Sequence, residues 1–145
     1  ILPPNKKLNI EIKHLKNVDD WLDKLQQGLT KYKVNKSKLI ISSFNHVWLK
    51  QIHDRDPELP IGALTATYPE NGTDFAHKLH AYSLHMDIDV VDEGYVKTAQ
   101  AMGLKVFVYT VDYVEDMLVL KQWGVDGVFT NLPDVAALAL RGHTD

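Results

Sequence analysis

Glu11 and Lys13 stand two residues apart in Leu8-Asn9-Ile10-Glu11-Ile12-Lys13, a segment in which apolar and polar side chains alternate. A period of two marks an extended strand, so Leu8, Ile10 and Ile12 share one face while Asn9, Glu11 and Lys13 share the other. A solvated strand face gives the same pattern, because charged residues are mostly exposed. A carboxylate beside an ammonium also has a more specific use. Its oxygens suit a hard divalent cation such as Mg²⁺ or Ca²⁺, and the ammonium pairs with phosphate oxygens. One carboxylate is too few to hold such a cation tightly, and the sequence offers no obvious second pair.

Other residues that could carry chemistry stand where further strands are expected to end: Ser43 and Phe44, Thr65, His85 with Asp87, Tyr109 with Asp112, and Thr130 with Asn131. Each has an ordinary structural reading beside the functional one. Asp87 and Asp89 can cap a turn, Asp112 can cap the helix that follows it, and Tyr109 can simply face the interior of a barrel. His14, His46, His53, His77, His80 and His143 lack metal-ligand spacing. His77 and His80 are three apart, yet no HExxH context accompanies them. Trp21, Trp48 and Trp123 fall on apolar helix faces and read as core.

These residues need elements to position them. Val18, Trp21, Leu22, Leu25 and Leu29 keep a helical period over about 18–33, with Asn17 or Asp19 as cap. Leu39-Ile40-Ile41 is a short buried strand running into Ser43 and Phe44, followed by a helix from about Asn45 that stops before Pro57. Further strands are expected at 60–64, 82–88, 105–111 and 125–130. A short helix near Asp74 precedes the second of these. Longer helices run from Asp92 to Met102, Val114 to Trp123 and Pro133 to Leu140. Six strands, each followed by a helix, imply a parallel sheet covered by helices. An open doubly wound sheet would be favoured by a GxGxxG turn, and none is present. The expected fold is therefore α/β, an incomplete (β/α)8 TIM barrel with six of eight βα units present and no internal domain boundary.

The composition narrows the partners. A net charge of −3 with no basic, aromatic-interleaved cluster argues against nucleic acid. The absence of cysteine excludes disulfides and thiolate chemistry. No apolar run approaches the roughly 18 residues of a membrane span, so no integral membrane segment is expected. The start Ile-Leu-Pro-Pro-Asn-Lys-Lys, without an initiator Met, suggests a fragment or a processed chain.

Four segments together resemble the glycerophosphodiester phosphodiesterase family of metal-dependent TIM-barrel enzymes. They are Leu8-Asn9-Ile10-Glu11-Ile12-Lys13, Ile40-Ile41-Ser42-Ser43-Phe44-Asn45, Val108-Tyr109-Thr110-Val111-Asp112 and the run from Gly124 to Asp134. Their order and spacing match the C-terminal part of that barrel, with a looser match over 65–88. The resemblance implies that Glu11 is a metal ligand and that Lys13, the catalytic lysine, binds the phosphodiester. It also implies that Phe44 and Tyr109 bind the alcohol side of a small-molecule glycerophosphodiester. Tyr109 stands where the family usually has tryptophan, and Asp112 where asparagine is frequent. The cofactor implied is Mg²⁺ or Ca²⁺, and the products are glycerol 3-phosphate and an alcohol such as choline or ethanolamine. The family's His-Arg pair, Glu-x-Asp pair and second histidine have no counterpart here. The expectation is that a missing N-terminal part of the same barrel supplies them in a protein of roughly 240 residues, with this chain inactive alone. A cytoplasmic location is expected from the single-barrel size. Two rival readings are a class I aldolase-like barrel in which Lys13 forms a Schiff base and a non-catalytic barrel fragment that acts as a binding module.

Overall fold

Strands and helices alternate from end to end of the computed structural model, which describes residues 3–141. In chain order they are β1 (Leu8–Glu11), α1 (Val18–Lys31), β2 (Leu39–Ser43), α2 (His46–Arg55), β3 (Ile61–Thr65) and α3 (Asp74–Lys78). Then follow β4 (Ser83–Asp87), α4 (Glu93–Ala101), β5 (Lys105–Tyr109), α5 (Val114–Trp123), β6 (Gly127–Val128) and α6 (Pro133–Leu140). The class is α/β, and the sheet order is the chain order, β1 to β6. Parallel register places Glu11 beside Ser42, Ser42 beside Gly62, and Val108 beside Val128. The chain divides into two compact units, one of 1–64 with 75–83 and one of 65–74 with 84–145. His143 lies outside the described residues.

In the first unit β2 and β3 are buried along their whole length, which is why they read as continuous apolar runs. Ile41, Leu49, Ile52 and Ile61 are among its fully buried side chains. Leu22 does the same for α1, whose buried positions Val18, Leu22 and Leu29 keep the expected helical spacing. The helix begins where Asn17 Oδ1 accepts the Asp20 N–H at 2.9 Å, and Asn45 caps α2 in the same way through the Val47 and Trp48 amides. The Tyr82 N–H donates to the Ile61 carbonyl at 2.8 Å, which leads the chain from beside β3 into β4.

In the second unit Leu84, Met86, Val96, Val106, Val108, Met117 and Leu120 are buried. The Ile88 N–H donates to the Tyr109 carbonyl, joining the end of β4 to that of β5. Asp92 caps α4, and Gly124 closes α5 at φ 82°, a backbone region that costs glycine little and other residues more.

Three expectations need correction. The last strand covers Gly127–Val128 rather than 125–130, although backbone hydrogen bonds from Asp126 to the Val106 carbonyl and from Phe129 to the Val108 carbonyl carry the pairing one residue past each end. The Asp126 carboxylate accepts the Val106 N–H, and the Thr130 hydroxyl donates to Asp112. Likewise β5 ends at Tyr109 rather than Val111. The three tryptophans are half-buried rather than core, as befits a side chain too large to be covered completely on a surface helix.

Candidate active site

The backbone at the end of β1 is held from two sides. The Ile12 N–H donates to the Ser42 carbonyl at 2.7 Å, and the Ile12 carbonyl accepts from Ser43 Oγ at 2.8 Å. Ser43 Oγ in turn accepts the Asn45 N–H, linking the same point to the start of α2. With the Ile12 side chain buried, Glu11 and Lys13 are left exposed on either side of it. Phe44 follows directly after β2 and is 52% exposed. The structure therefore brings Glu11, Lys13 and Phe44 to the C-terminal ends of adjacent strands, the position where parallel α/β sheets carry their chemistry.

His46, on the first turn of α2, donates from Nε2 to the Leu64 carbonyl at 2.8 Å and stacks on Phe75 with centroids 5.2 Å apart. That imidazole is committed to holding α2 against the end of β3. His85, read as a strand-end candidate, is 1% exposed and packs against Phe107 and Phe129. Burial pushes its pKa down to about 4, so it is neutral near pH 7. It belongs to an aromatic cluster of the second unit.

Also in the second unit, the Tyr109 hydroxyl donates to the Thr65 carbonyl at 2.9 Å. The ring is thereby tied to the end of β3 and is half-buried. Asp112 does not cap α5, since Tyr113 stands at that position and makes no side-chain cap. Its carboxylate instead accepts from Thr130 Oγ1, the Asn131 N–H and Asn131 Nδ2 at 2.8–2.9 Å. The Asn131 side chain and backbone, then Thr130, hold its pKa below the ordinary aspartate value. Asp112, Thr130 and Asn131 thus form a clamp between the loops after β5 and β6. Asp87 accepts the Asp89 N–H, the turn-capping one of the two roles open to it.

No group of three His, Cys, Asp or Glu side chains able to hold a metal occurs among the described residues. Glu11 is nevertheless in the right company for a hard cation. Asn9, two residues before it, and Ser42, its register partner on β2, point oxygen atoms to the same face of the strand pair. Asn9 Oδ1 and Ser42 Oγ are both buried without a hydrogen-bond partner. Carboxylate and amide oxygens are donors that Mg²⁺ and Ca²⁺ take, and a hydroxyl beside them can orient the carboxylate, so this set fits one side of such a site. Sequence reasoning passed over both residues: Asn9 was readable from its alternation with Glu11, whereas Ser42 is placed beside Glu11 only by the register of β1 with β2.

A groove of about 470 Å³ in the first unit is lined by Leu15, Lys16, Trp48, Gln51 and Arg55, among others. It lies between the segment 15–19 and α2 and includes neither Glu11 nor Lys13.

The model of the glycerophosphoryl diester phosphodiesterase family matches residues 1–135. The chain belongs to that family. Among curated relatives, the glycerophosphodiester phosphodiesterase of Caldanaerobacter subterraneus is 34% identical over 112 residues, covering 77% of this chain and 46% of that protein. The Bacillus subtilis glycerophosphodiester phosphodiesterase is 32% identical over 130 residues, covering 83% and 44%. This phosphodiesterase-family chain therefore spans about half the length of the curated relatives it matches. Two solved structures share its fold. An Oleispira antarctica phosphodiesterase, solved with the product sn-glycerol-3-phosphate, has a TM-score of 0.82 at 24% identity, covering 94% of this chain and 56% of its own. A glycerophosphodiester phosphodiesterase from Parabacteroides distasonis has a TM-score of 0.79 at 22% identity, covering 93% and 57%. No helix among the described residues is long and apolar enough to cross a membrane.

Proposed function

We propose that the chain is the C-terminal portion of a single metal-dependent TIM-barrel domain that hydrolyses glycerophosphodiesters to glycerol 3-phosphate and an alcohol. The observation that carries this reading is the pair Glu11 and Lys13, both exposed at the C-terminal end of β1 in a chain of the phosphodiesterase family. Glu11, with oxygen atoms from neighbouring residues, would hold a Mg²⁺ or Ca²⁺ ion, which when bound polarises the phosphoryl group. Lys13 brings an ammonium to the phosphodiester oxygens and offsets the negative charge that grows as the bond to the leaving alcohol breaks. Phe44 gives the alcohol an apolar surface, and Tyr109 is assigned the same role with its ring. Its hydroxyl already donates to Thr65, so the ring is what it offers.

Proton transfer to the leaving alcohol falls, in this reading, to residues of the remaining two βα units of the barrel. The chain by itself is then a binding half without its acid and base. The exposure of Lys13 counts against the aldolase-like alternative, because a Schiff-base lysine is usually activated by a desolvated or cationic pocket. The test is Glu11→Gln in the full-length protein with glycerophosphocholine and excess Mg²⁺ or Ca²⁺. Turnover is expected to fall about 100-fold or more, equivalent to about 3 kcal/mol of lost transition-state stabilisation. Unchanged turnover would remove Glu11 from the metal site.

A further inference from the structure

Ser42 is wholly buried, and its hydroxyl has no hydrogen-bond partner. A buried hydroxyl left unpaired costs roughly 1–3 kcal/mol, and alanine in its place would avoid that penalty with little change in shape. Its neighbour on the chain shows what a satisfied serine looks like here, since Ser43 Oγ both donates to Ile12 and accepts from Asn45. The difference lies in the face. Ser43 shares the face of Ile41, whereas Ser42 shares that of Glu11, its register partner, on the polar side of the β1–β2 pair. One residue pair further down that face, Asn9 Oδ1 is a second buried atom without a partner. Two unsatisfied oxygens therefore stand beside and beneath a carboxylate that has only acceptor atoms to offer.

We infer that Ser42 is a positioning residue for Glu11: its hydroxyl donates to the Glu11 carboxylate when that carboxylate turns inward to engage a cation. This rests on the reading of Glu11 as a cation ligand. Adjacent strands lie about 4.8 Å apart, so register partners on one face are within reach of a single hydrogen bond once the glutamate leaves its solvent-facing rotamer. The donor fixes one carboxylate oxygen and leaves the other for the ion, which is how outer partners orient metal-ligating carboxylates. The energetic logic is that the unpaired hydroxyl is tolerated in the cation-free state because it is used in the loaded one.

The experiment measures Mg²⁺ and Ca²⁺ binding by calorimetry, together with thermal unfolding without cation, on full-length wild type, Glu11→Gln, Ser42→Ala and Ser42→Cys. Ser42→Ala is expected to raise the cation-free Tm, because an unsatisfied group is removed, and to weaken cation binding about 10–100-fold. Ser42→Cys, whose thiol is a weak donor, should fall between alanine and wild type. Turnover in Ser42→Ala should recover at saturating cation. A raised Tm with cation affinity within about twofold of wild type would overturn the inference and leave Ser42 as a structural residue. So would cation binding equally weak in the cysteine and alanine variants. If Glu11→Gln binds the cation as wild type does, it is the reading of Glu11 itself that fails, whatever Ser42 does.

Discussion

Tyr109 and His85 show how differently two ring residues near strand ends can be used. The Tyr109 hydroxyl is spent on the Thr65 carbonyl, so Tyr109→Phe keeps the ring and deletes one hydrogen bond. A loss of about 1 kcal/mol in urea unfolding is expected, the usual net value of such a bond. A loss below about 0.3 kcal/mol would mean that the tether does not fix the ring. His85 is a matter of protonation. Its folded pKa of about 4 lies below the ordinary 6.5, so between those values the unfolded chain binds the proton and the folded chain does not. Stability is therefore unaffected above about pH 6.5 and is lost as pH falls towards about 4, by about 3 kcal/mol in all. Unfolding free energies at pH 7 and pH 4.5 should differ more for wild type than for His85→Phe. Equal differences in the two proteins would show that the imidazole titrates normally.

At the scale of elements, α1 and the end of α2 are joined by one buried carboxylate. Asp56, 4% exposed, accepts from Lys36 Nζ at 2.7 Å and from Gln26 Nε2 at 2.8 Å, so the turn at 36–38, α1 and the end of α2 meet on it. Burial pushes its pKa up, but the Lys36 and Gln26 hydrogen bonds outweigh that and hold it below the ordinary value. Asp56→Ala leaves the Gln26 amide without its acceptor and Lys36 with only the exposed Glu58 carboxylate at 3.3 Å, and should cost about 2 kcal/mol in chemical denaturation. Asp54→Ala removes only an exposed pair with Lys50 on the surface of α2 and should cost less than about 0.5 kcal/mol. Equal effects would mean that burial does not separate the two pairs. Asp56 caps the end of α2 opposite the one that begins at Asn45 beside Phe44, so turnover in the full-length protein should be little changed by either substitution.

For the whole molecule, the chain covers about half of the curated phosphodiesterases it matches, and β1 and β6 are the outer strands of the described sheet. On the proposed reading, the 145-residue chain purified alone should hydrolyse no measurable glycerophosphocholine, while the full-length protein turns it over under the same conditions. Retained activity in a sample whose intact mass is 16.5 kDa would show that the acid and base lie within this chain. That result would overturn the assignment of proton transfer to the other part of the barrel.

Much of the architecture was determined by sequence alone because it rests on local physics. Helix caps at Asn17, Asn45 and Asp92, the stop at Gly124, Pro133 in a first helical turn and the apolar runs of β2 and β3 each follow from the preferences of a few adjacent residues. The alternation around Ile12 likewise placed Glu11 and Lys13 on one polar face, since side-chain direction in a strand has a period of two. What only the tertiary structure decided were the partners. Asp112 was open between a helix cap and a substrate contact until the loop after β6 brought Thr130 and Asn131 to it. His85 read as a strand-end candidate until the aromatic rings on β5 and beyond β6 enclosed it. Ser42 looked like its neighbour Ser43 until parallel register set it beside Glu11 with an unpaired hydroxyl. Hydrogen bonds and burial of this kind join residues 18 to 44 positions apart, and a local pattern carries no information about which distant group will arrive.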